Sequence, residues 1–328
     1  VMGILLIQAI LYTAVILSVG IGNQVKRNTF DIFNERVINR KLYVESEMVQ
    51  RWSNITEGEM KILGRVAQTL DENGATYEDI RTNAVLNEKI IQNLAEDLIF
   101  MLRKNSVTGA FVVLDGIAIQ GDSGSKTYAG LYIRDLDPTS YTNDRSDLLI
   151  ERGLPSVTKS LNISLDSYWN ACFRFPNEGE AENEKFFFEP LNAARSGNSK
   201  KGTDYGYWSP SFSLSSKDIE VITYSIPLIA QDGTVFGVMG IDITHNYLLS
   251  LLKYDEIDFS KNGAYVLGII KDNTGSIQCI WSKGPMYKAN FGHTELIHGE
   301  KSKYENIYKF NAPKNKGREV YGSVQPLQ

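Results

Sequence analysis

Asp242 stands in an otherwise apolar run, Val238-Met239-Gly240-Ile241-Asp242-Ile243. A carboxylate in such a strand is costly unless it is paired. It can anchor a small molecule, accepting hydrogen bonds from an ammonium or hydroxyl group at a sheet surface. Alternatively it binds backbone amides, or caps a helix beginning near His245. Tyr168, Trp169, Tyr207, Trp208 and Tyr224 each join an apolar body to one polar tip, the combination that small-molecule pockets favour, although core packing would use any one of them as well. No catalytic constellation accompanies these residues. The three histidines, His245, His293 and His298, lack metal-ligand or HExxH spacing. Gly121-Asp122-Ser123-Gly124 has the letters of a hydrolase motif, but neither an elbow pattern nor evident triad partners. With no P-loop and no dinucleotide fingerprint either, no cofactor or metal is expected.

The elements that must position these residues come from a chain of 328 residues, 42% apolar and 22% charged, with a formal charge of −5. That length and composition predict two folded units. The absence of basic blocks argues against nucleic acid as a partner. Cys172 and Cys279, the two cysteines, read as buried thiols rather than as a disulfide framework.

Met2 to Gly22 carries no charged side chain. As a helix it would span about 30 Å, a bilayer core, so residues 1–23 read as a transmembrane helix. Lys26 and Arg27 directly after it leave the orientation open. From Gln24 to Leu70 the apolar residues Phe30, Phe33, Val37, Val44, Met48, Trp52, Ile55, Ile62, Val66 and Leu70 recur at helical spacing. The pattern predicts one long stalk helix over 24–70, with a face for a second copy of the chain. Asp71-Glu72-Asn73-Gly74 ends it, and a second helix is expected over about Tyr77–Arg103.

The period then changes to that of strands: Ala110–Leu114, Ala129–Arg134, Glu220–Pro227 and Val235–Ile243, the last two closed into a hairpin by Ala230-Gln231-Asp232-Gly233. The section from Asp135 to Asp218 is too long for a loop and is expected to cover one sheet face and shape a cavity. After a connecting helix over His245–Tyr254, strands are expected at Ala264–Ile270, Ser276–Trp281, Tyr304–Phe310 and Arg318–Val324, with a turn at Asp272-Asn273-Thr274-Gly275. The helix-then-sheet plan thus occurs twice, over 71–254 and 255–328, the second unit with too few strands to close. The fold class is α+β: a transmembrane helix, a stalk helix and two tandem antiparallel-sheet units, the second incomplete.

The run Trp208-Ser209-Pro210-Ser211-Phe212, then Ile222-Thr223-Tyr224-Ser225-Ile226-Pro227-Leu228, Asp232-Gly233 and Gly237-Val238-Met239-Gly240-Ile241-Asp242-Ile243 resembles, in order and spacing, the double-Cache sensor regions of bacterial transmembrane receptors. The resemblance covers most of 24–328. It implies two PAS-like units, a ligand in the membrane-distal one (71–254), an extracytoplasmic location, and signalling through the stalk to a cytoplasmic output domain. Phe186-Phe187-Phe188 and Gly206-Tyr207-Trp208 are similar to sensor regions ahead of diguanylate cyclase (GGDEF) domains, although histidine kinases and chemoreceptors share the layout.

Amino-acid-binding members grip their ligand with Tyr, Arg-x-Trp-Tyr, Tyr and a late Asp. Here Asp242 matches the late Asp, while Lys185-Phe186-Phe187-Phe188 stands at the Arg-x-Trp-Tyr step and Phe212 at the later Tyr. Neither Lys nor Phe reproduces a bidentate guanidinium clamp, leaving Arg134 or Arg174 as substitutes. The candidate ligand residues are therefore Asp242, Tyr224, Trp208, Tyr207, Trp169, Tyr168, Phe188, Phe212 and Arg134. The alternatives are a protein-binding adaptor without a small ligand and a membrane-tethered hydrolase using Ser123 or the carboxylates.

Overall fold

The computed structural model describes residues 2–119, 127–140, 142, 144–257, 263–270, 276–314 and 319–327, with backbone alone for 2–23. The turn expected at 272–275 and the Gly121–Gly124 motif with Ser123 lie outside them. The fold is α+β with a long N-terminal helix, α1 (Met2–Trp52). Among the described residues no helix is long and apolar enough to cross a membrane; the side chains of Met2–Gly22, where the sequence places a span, lie outside that description.

The single helix expected over 24–70 is two helices. α1 stops at Trp52 and α2 runs from Ile55 to Glu72. Ser53 and Asn54 make the break, being residues whose short polar side chains compete with helical backbone bonds. Ser53 Oγ donates to the Gln50 carbonyl at 3.1 Å, and the Glu57 N–H restarts the ladder on the Asn54 carbonyl at 3.1 Å. Apolar spacing continues through the break, which is why periodicity alone missed it. The expected second helix also starts later, as a 3₁₀ turn over Tyr77–Arg81 followed by α3 (Ala84–Asn105), whose first turn is capped by Asn83 Oδ1 accepting from the Leu86 N–H at 3.0 Å.

The chain divides into two compact units, Met48–Leu248 and a second made of Val1–Glu47 with Leu249–Gln328. The first is built on a sheet of β1 (Gly109–Ile117), β2 (Thr127–Asp135), β3 (Leu148–Arg152), β4 (Ser164–Asn170), β5 (Phe173–Arg174), β6 (Tyr207–Trp208), β7 (Val221–Ile229) and β8 (Val235–Thr244). Their order is β4-β3-β2-β1-β8-β7-β6, with β5 also on β2. All pairs are antiparallel except β3 with β4. The β7–β8 hairpin closes through the expected turn, where Gly233 takes a φ of +96° that only glycine adopts without strain.

Alternation along the strands sends residues to two cores. Ala110, Val112, Leu114, Leu131 and Ile133 meet Ile62 and Val66 of α2 and Ile90, Leu94 and Leu98 of α3. Phe111, Val113 and Tyr132 point the other way, toward α5 (Lys185–Ser196) and its Phe186, Phe187 and Leu191. The 135–218 section therefore does only part of what was expected. α5 and the Phe173–Phe175 stretch cover a face, but β3, β4 and β6 widen the sheet, and α4 (Pro155–Leu161) joins the α3 side through Val157 and Leu161. α6 (His245–Ser250) is shorter than the helix expected over 245–254.

The second unit holds β9 (Tyr265–Ile270), β10 (Ile277–Lys283), α7 (Pro285–Asn290), β11 (Leu296–Ile297), β12 (Gly299–Lys301), β13 (Ile307–Asn311) and β14 (Glu319–Ser323). These form two three-stranded sheets, β11-β10-β9 and β12-β13-β14. Arg40 of α1 ties this unit together, binding the Glu256 carboxylate and, at 2.9 Å, the Leu251 carbonyl. Among the described residues neither cysteine forms a disulfide; Cys172 is buried and Cys279 half-buried.

Candidate functional site

One row across the sheet gathers the chemistry. Gly109 on β1 lies opposite Arg134 of β2 on one side and Asp242 of β8 on the other, and Asp242 in turn lies opposite Thr223 of β7. Residues in such a row project to the same face, here the one covered by α5. Glycine in the middle is what lets the carboxylate lie across β1: a Cβ on Gly109 would sit 1.9 Å from Asp242 Oδ2.

Asp242 is 1% exposed. It neither caps α6 nor binds amides through its side chain. It accepts from Thr108 Oγ1 at 2.8 Å and from the Tyr132 hydroxyl at 2.7 Å. Arg134 Nη2 donates to the Tyr132 oxygen at 3.2 Å, and Arg134 Nε to Glu151 Oε1 at 2.5 Å. Beside them Arg152 pairs with Asp218 at 2.6 Å, both buried. This is a buried cluster of three carboxylates and two guanidiniums.

Four groups carry shifted affinities for protons. Burial pushes the Glu151 carboxyl up to about 7, with the Arg134 charge opposing and Asp242 assisting. Burial likewise raises Asp242, against Arg134 and its two hydroxyl donors, and raises the Tyr132 phenol well above its ordinary value. For Arg134 burial works against the charge, but the Tyr132 oxygen and the Asp242 and Glu151 carboxylates prevail and hold the guanidinium protonated. Between Asp242, Glu151 and Arg134 the ionised site would carry one surplus negative charge.

Its hydrogen bonding is incomplete. Arg134 Nη1 and Glu151 Oε2 are buried without a partner among the described residues, and so is Ser225 Oγ on β7. Ser225 lies opposite Gly240 on the Asp242 face. Each buried polar atom without a partner costs about 1–3 kcal/mol, so a cluster of them marks a place that a further polar molecule would satisfy.

The lid over this face is aromatic. Phe186 of α5 stands edge-on to Phe111 at 5.1 Å and stacks on Phe212 at 5.4 Å, while Phe188 packs with Tyr128 and Phe175 farther along. Tyr207 lies opposite Ser225, on the same face.

The other sequence candidates are elsewhere. Tyr224 and Trp208 project from the opposite face, where Trp208 meets Tyr224 at 4.9 Å and Trp52 edge-on at 4.8 Å. There they pack beside the α1–α2 break, on the face away from Asp242. Trp169 packs against the α2–α3 core and donates Nε1–H to the Gly153 carbonyl at 3.1 Å. Tyr168 is 46% exposed on the edge strand β4, and Arg174 is exposed too. Nearness in sequence to the 135–218 section says nothing about which face of a strand a side chain takes.

Sequence reading missed Tyr132, Glu151, Thr108 and Gly109. Tyr132 was within reach, since period two in Leu131-Tyr132-Ile133-Arg134 puts it on the Arg134 side. Glu151 and Gly109 needed the register between strands.

From Asp242 the bonds continue away from the lid. Thr108 Oγ1 also accepts from the Thr244 N–H at 2.7 Å, Thr244 Oγ1 accepts from the Tyr247 N–H at 3.2 Å, and the Tyr247 hydroxyl accepts from Arg51 near the end of α1. Residue by residue, these bonds link Glu151 to Arg51 of α1.

No protein-family model matches the sequence, and no curated protein does. Among solved structures, the chain is similar to the ligand-binding domain of the Campylobacter jejuni chemoreceptor Tlp3 in complex with L-norvaline, at 12% identity over 87% of this chain and 88% of that one, TM-score 0.39. It is similar to the Tlp3 sensory domain itself at 13% identity over 87% and 90% of the two chains, TM-score 0.37. A third is the ligand-binding domain of the Pseudomonas aeruginosa PAO1 amino acid chemoreceptor PctC in complex with GABA, at 11% identity over 86% and 97%, TM-score 0.28. These three structures are sensory or ligand-binding domains of chemoreceptors.

Proposed function

We propose that this chain is the extracytoplasmic sensing region of a membrane-anchored receptor, and that it binds a small molecule at the Asp242–Arg134–Glu151 cluster under the α5 lid. The observation that carries the reading is the set of buried, partnerless polar atoms, Arg134 Nη1, Glu151 Oε2 and Ser225 Oγ, on one covered sheet face. The surplus carboxylate favours a ligand with an ammonium or another cationic donor, and the Arg134 donor favours an acceptor on the same molecule. With the phenylalanines in place the face is covered, so binding requires α5 to lift and reclose. Reclosing around a ligand would bias the line Asp242–Thr108–Thr244–Tyr247–Arg51, and with it the end of α1.

Anchoring by Met2–Gly22 and an output domain of diguanylate cyclase type belong to the same reading and rest on sequence alone. Exposed apolar residues along α1, Val25, Ile32, Leu42, Tyr43 and Val49, support pairing with a second copy.

The test is a thermal-shift and calorimetric screen of amines, amides, amino acids, carboxylates and sugars. A ligand at about 100 times its dissociation constant adds roughly 2.7 kcal/mol. A hit that Asp242→Asn or Arg134→Met abolishes, and that slows amide exchange in α5, supports the reading. A hit indifferent to both substitutions, or a bound water alone satisfying the three atoms with no hit, removes it.

A further inference from the structure

Trp208 and Tyr224, which the face under α5 leaves out, stand with Trp52 and Glu59 at another corner of the first unit. There the end of α1, the start of α2 and the strands β6 and β7 meet. Trp208 lies opposite Tyr224 across the β6–β7 pair, with their rings 4.9 Å apart. The Trp52 ring meets Trp208 at an angle of 77°, so the two indoles form a corner. Trp208 is 40% exposed, and Trp52 and Tyr224 are half-buried. The negative face of an aromatic ring, left open to solvent, attracts a positive charge.

The carboxylate beside these rings lacks a counter-charge. Glu59 on α2 is 5% exposed. Its Oε1 accepts from the Gly202 N–H at 3.1 Å, at the start of the 3₁₀ turn Gly202–Tyr205, and it forms no ion pair among the described residues. Asp135, Glu151 and Asp218, whose side chains are as deeply buried, each pair with an arginine, and Glu184 takes three donors from Asn177 and Gly179. Burial pushes the Glu59 carboxyl up, with the Gly202 amide and the charge of the exposed Lys201 opposing. The charge of Glu59 also reaches the rings, since it adds to burial in raising the Tyr224 phenol. Glycine permits this closeness: a Cβ on Gly202 would overlap Glu59 Oε1, and one on Gly206 would overlap the Tyr224 hydroxyl. A carboxylate withdrawn from water with one amide as its donor is costly until a positive charge joins it.

We propose that this corner is a second binding site, for a small organic cation of the ammonium class, which lies against the open face of Trp208 within the field of Glu59. Ring faces and a carboxylate together select a charged ammonium over a neutral group of the same shape. An occupant there touches the end of α1 through Trp52 and the start of α2 through Glu59, on either side of the helix break. The site is on the sheet face away from Asp242 and stands independently of the sensor reading.

The experiment adds methylammonium, tetramethylammonium or choline to the 328-residue chain at constant ionic strength, with tert-butanol as an uncharged group of similar shape. Binding is followed by tryptophan fluorescence and by calorimetry. At least one cation should give a saturable response at millimolar concentration, and tert-butanol none. Glu59→Gln and Trp208→Ala should each weaken binding by about tenfold or more. Trp208 sits exposed on a short edge strand, so its variant tests the site even where Glu59→Gln fails to fold. The absence of a saturable response to all three cations overturns the proposal. An equal response to tert-butanol does so too, as does an affinity that neither variant changes. A response lost in Asp242→Asn and intact in Glu59→Gln places the cation under α5, which overturns this proposal and leaves the sensor reading standing.

Discussion

Replacing Glu151 by glutamine keeps the side-chain length and the Oε1 acceptor that Arg134 uses, while removing a carboxyl that titrates abnormally. In the folded protein that carboxyl is pushed from 4.5 up to about 7, chiefly by burial. The unfolded chain releases this proton near the ordinary value, so between pH 4.5 and 7 the folded state holds more proton than the unfolded one. Stability therefore falls as pH rises through this window. The displacement corresponds to about 3 kcal/mol, present below pH 4.5 and lost above pH 7. Asp242 shifts in the same direction and is present in both proteins, so only the part of its contribution that depends on the Glu151 charge enters the comparison. Urea unfolding followed by tryptophan fluorescence reports the first unit well, since Trp52, Trp169 and Trp208 all lie in it. Between pH 5 and pH 8, wild type should lose about 2 kcal/mol more than Glu151→Gln. Parallel pH dependences would refute the reasoning, because they would mean that Glu151 is solvated or fully compensated by Arg134.

Gly109→Ala places a methyl group where Asp242 Oδ2 lies and must break the Thr108 and Tyr132 hydrogen bonds. It should cost about 2–4 kcal/mol in thermal unfolding, and a cost below about 0.5 kcal/mol would mean that the row is not packed as described. Trp52→Ala removes the ring that Trp208 grips at the α1–α2 break. It should destabilise the first unit by about 2–3 kcal/mol and speed proteolysis at Ser53–Asn54. A cleavage rate equal to wild type would show that the break is held by something else.

What could be read in advance follows from which forces are local. Period-two alternation and β-branched residues placed β1, β2, β7 and β8 to within a few residues, because burial on two faces writes itself directly into a strand. The Gln231-Asp232-Gly233 turn did the same for the β7–β8 hairpin. The misfit of Asp242 in its apolar strand was legible for the same reason: a charge there needs a partner.

The identity of that partner was not legible. Tyr132, Thr108 and, through Tyr132, Arg134 reach Asp242 only because β2, β1 and β8 lie side by side in one register, with Gly109 leaving the space. Register is a sum over long-range pairings, and no window of sequence contains it. Trp208 and Tyr224 make the same point in reverse, since their composition suggested a pocket and the pleat sent them to the opposite face. The stalk is the clearest case. Its apolar spacing runs unbroken from Phe30 to Leu70, yet the helix ends at Trp52. Ser53 and Asn54 make the break there, and Trp52 beside it packs edge-on against Trp208, a residue 156 positions away in sequence.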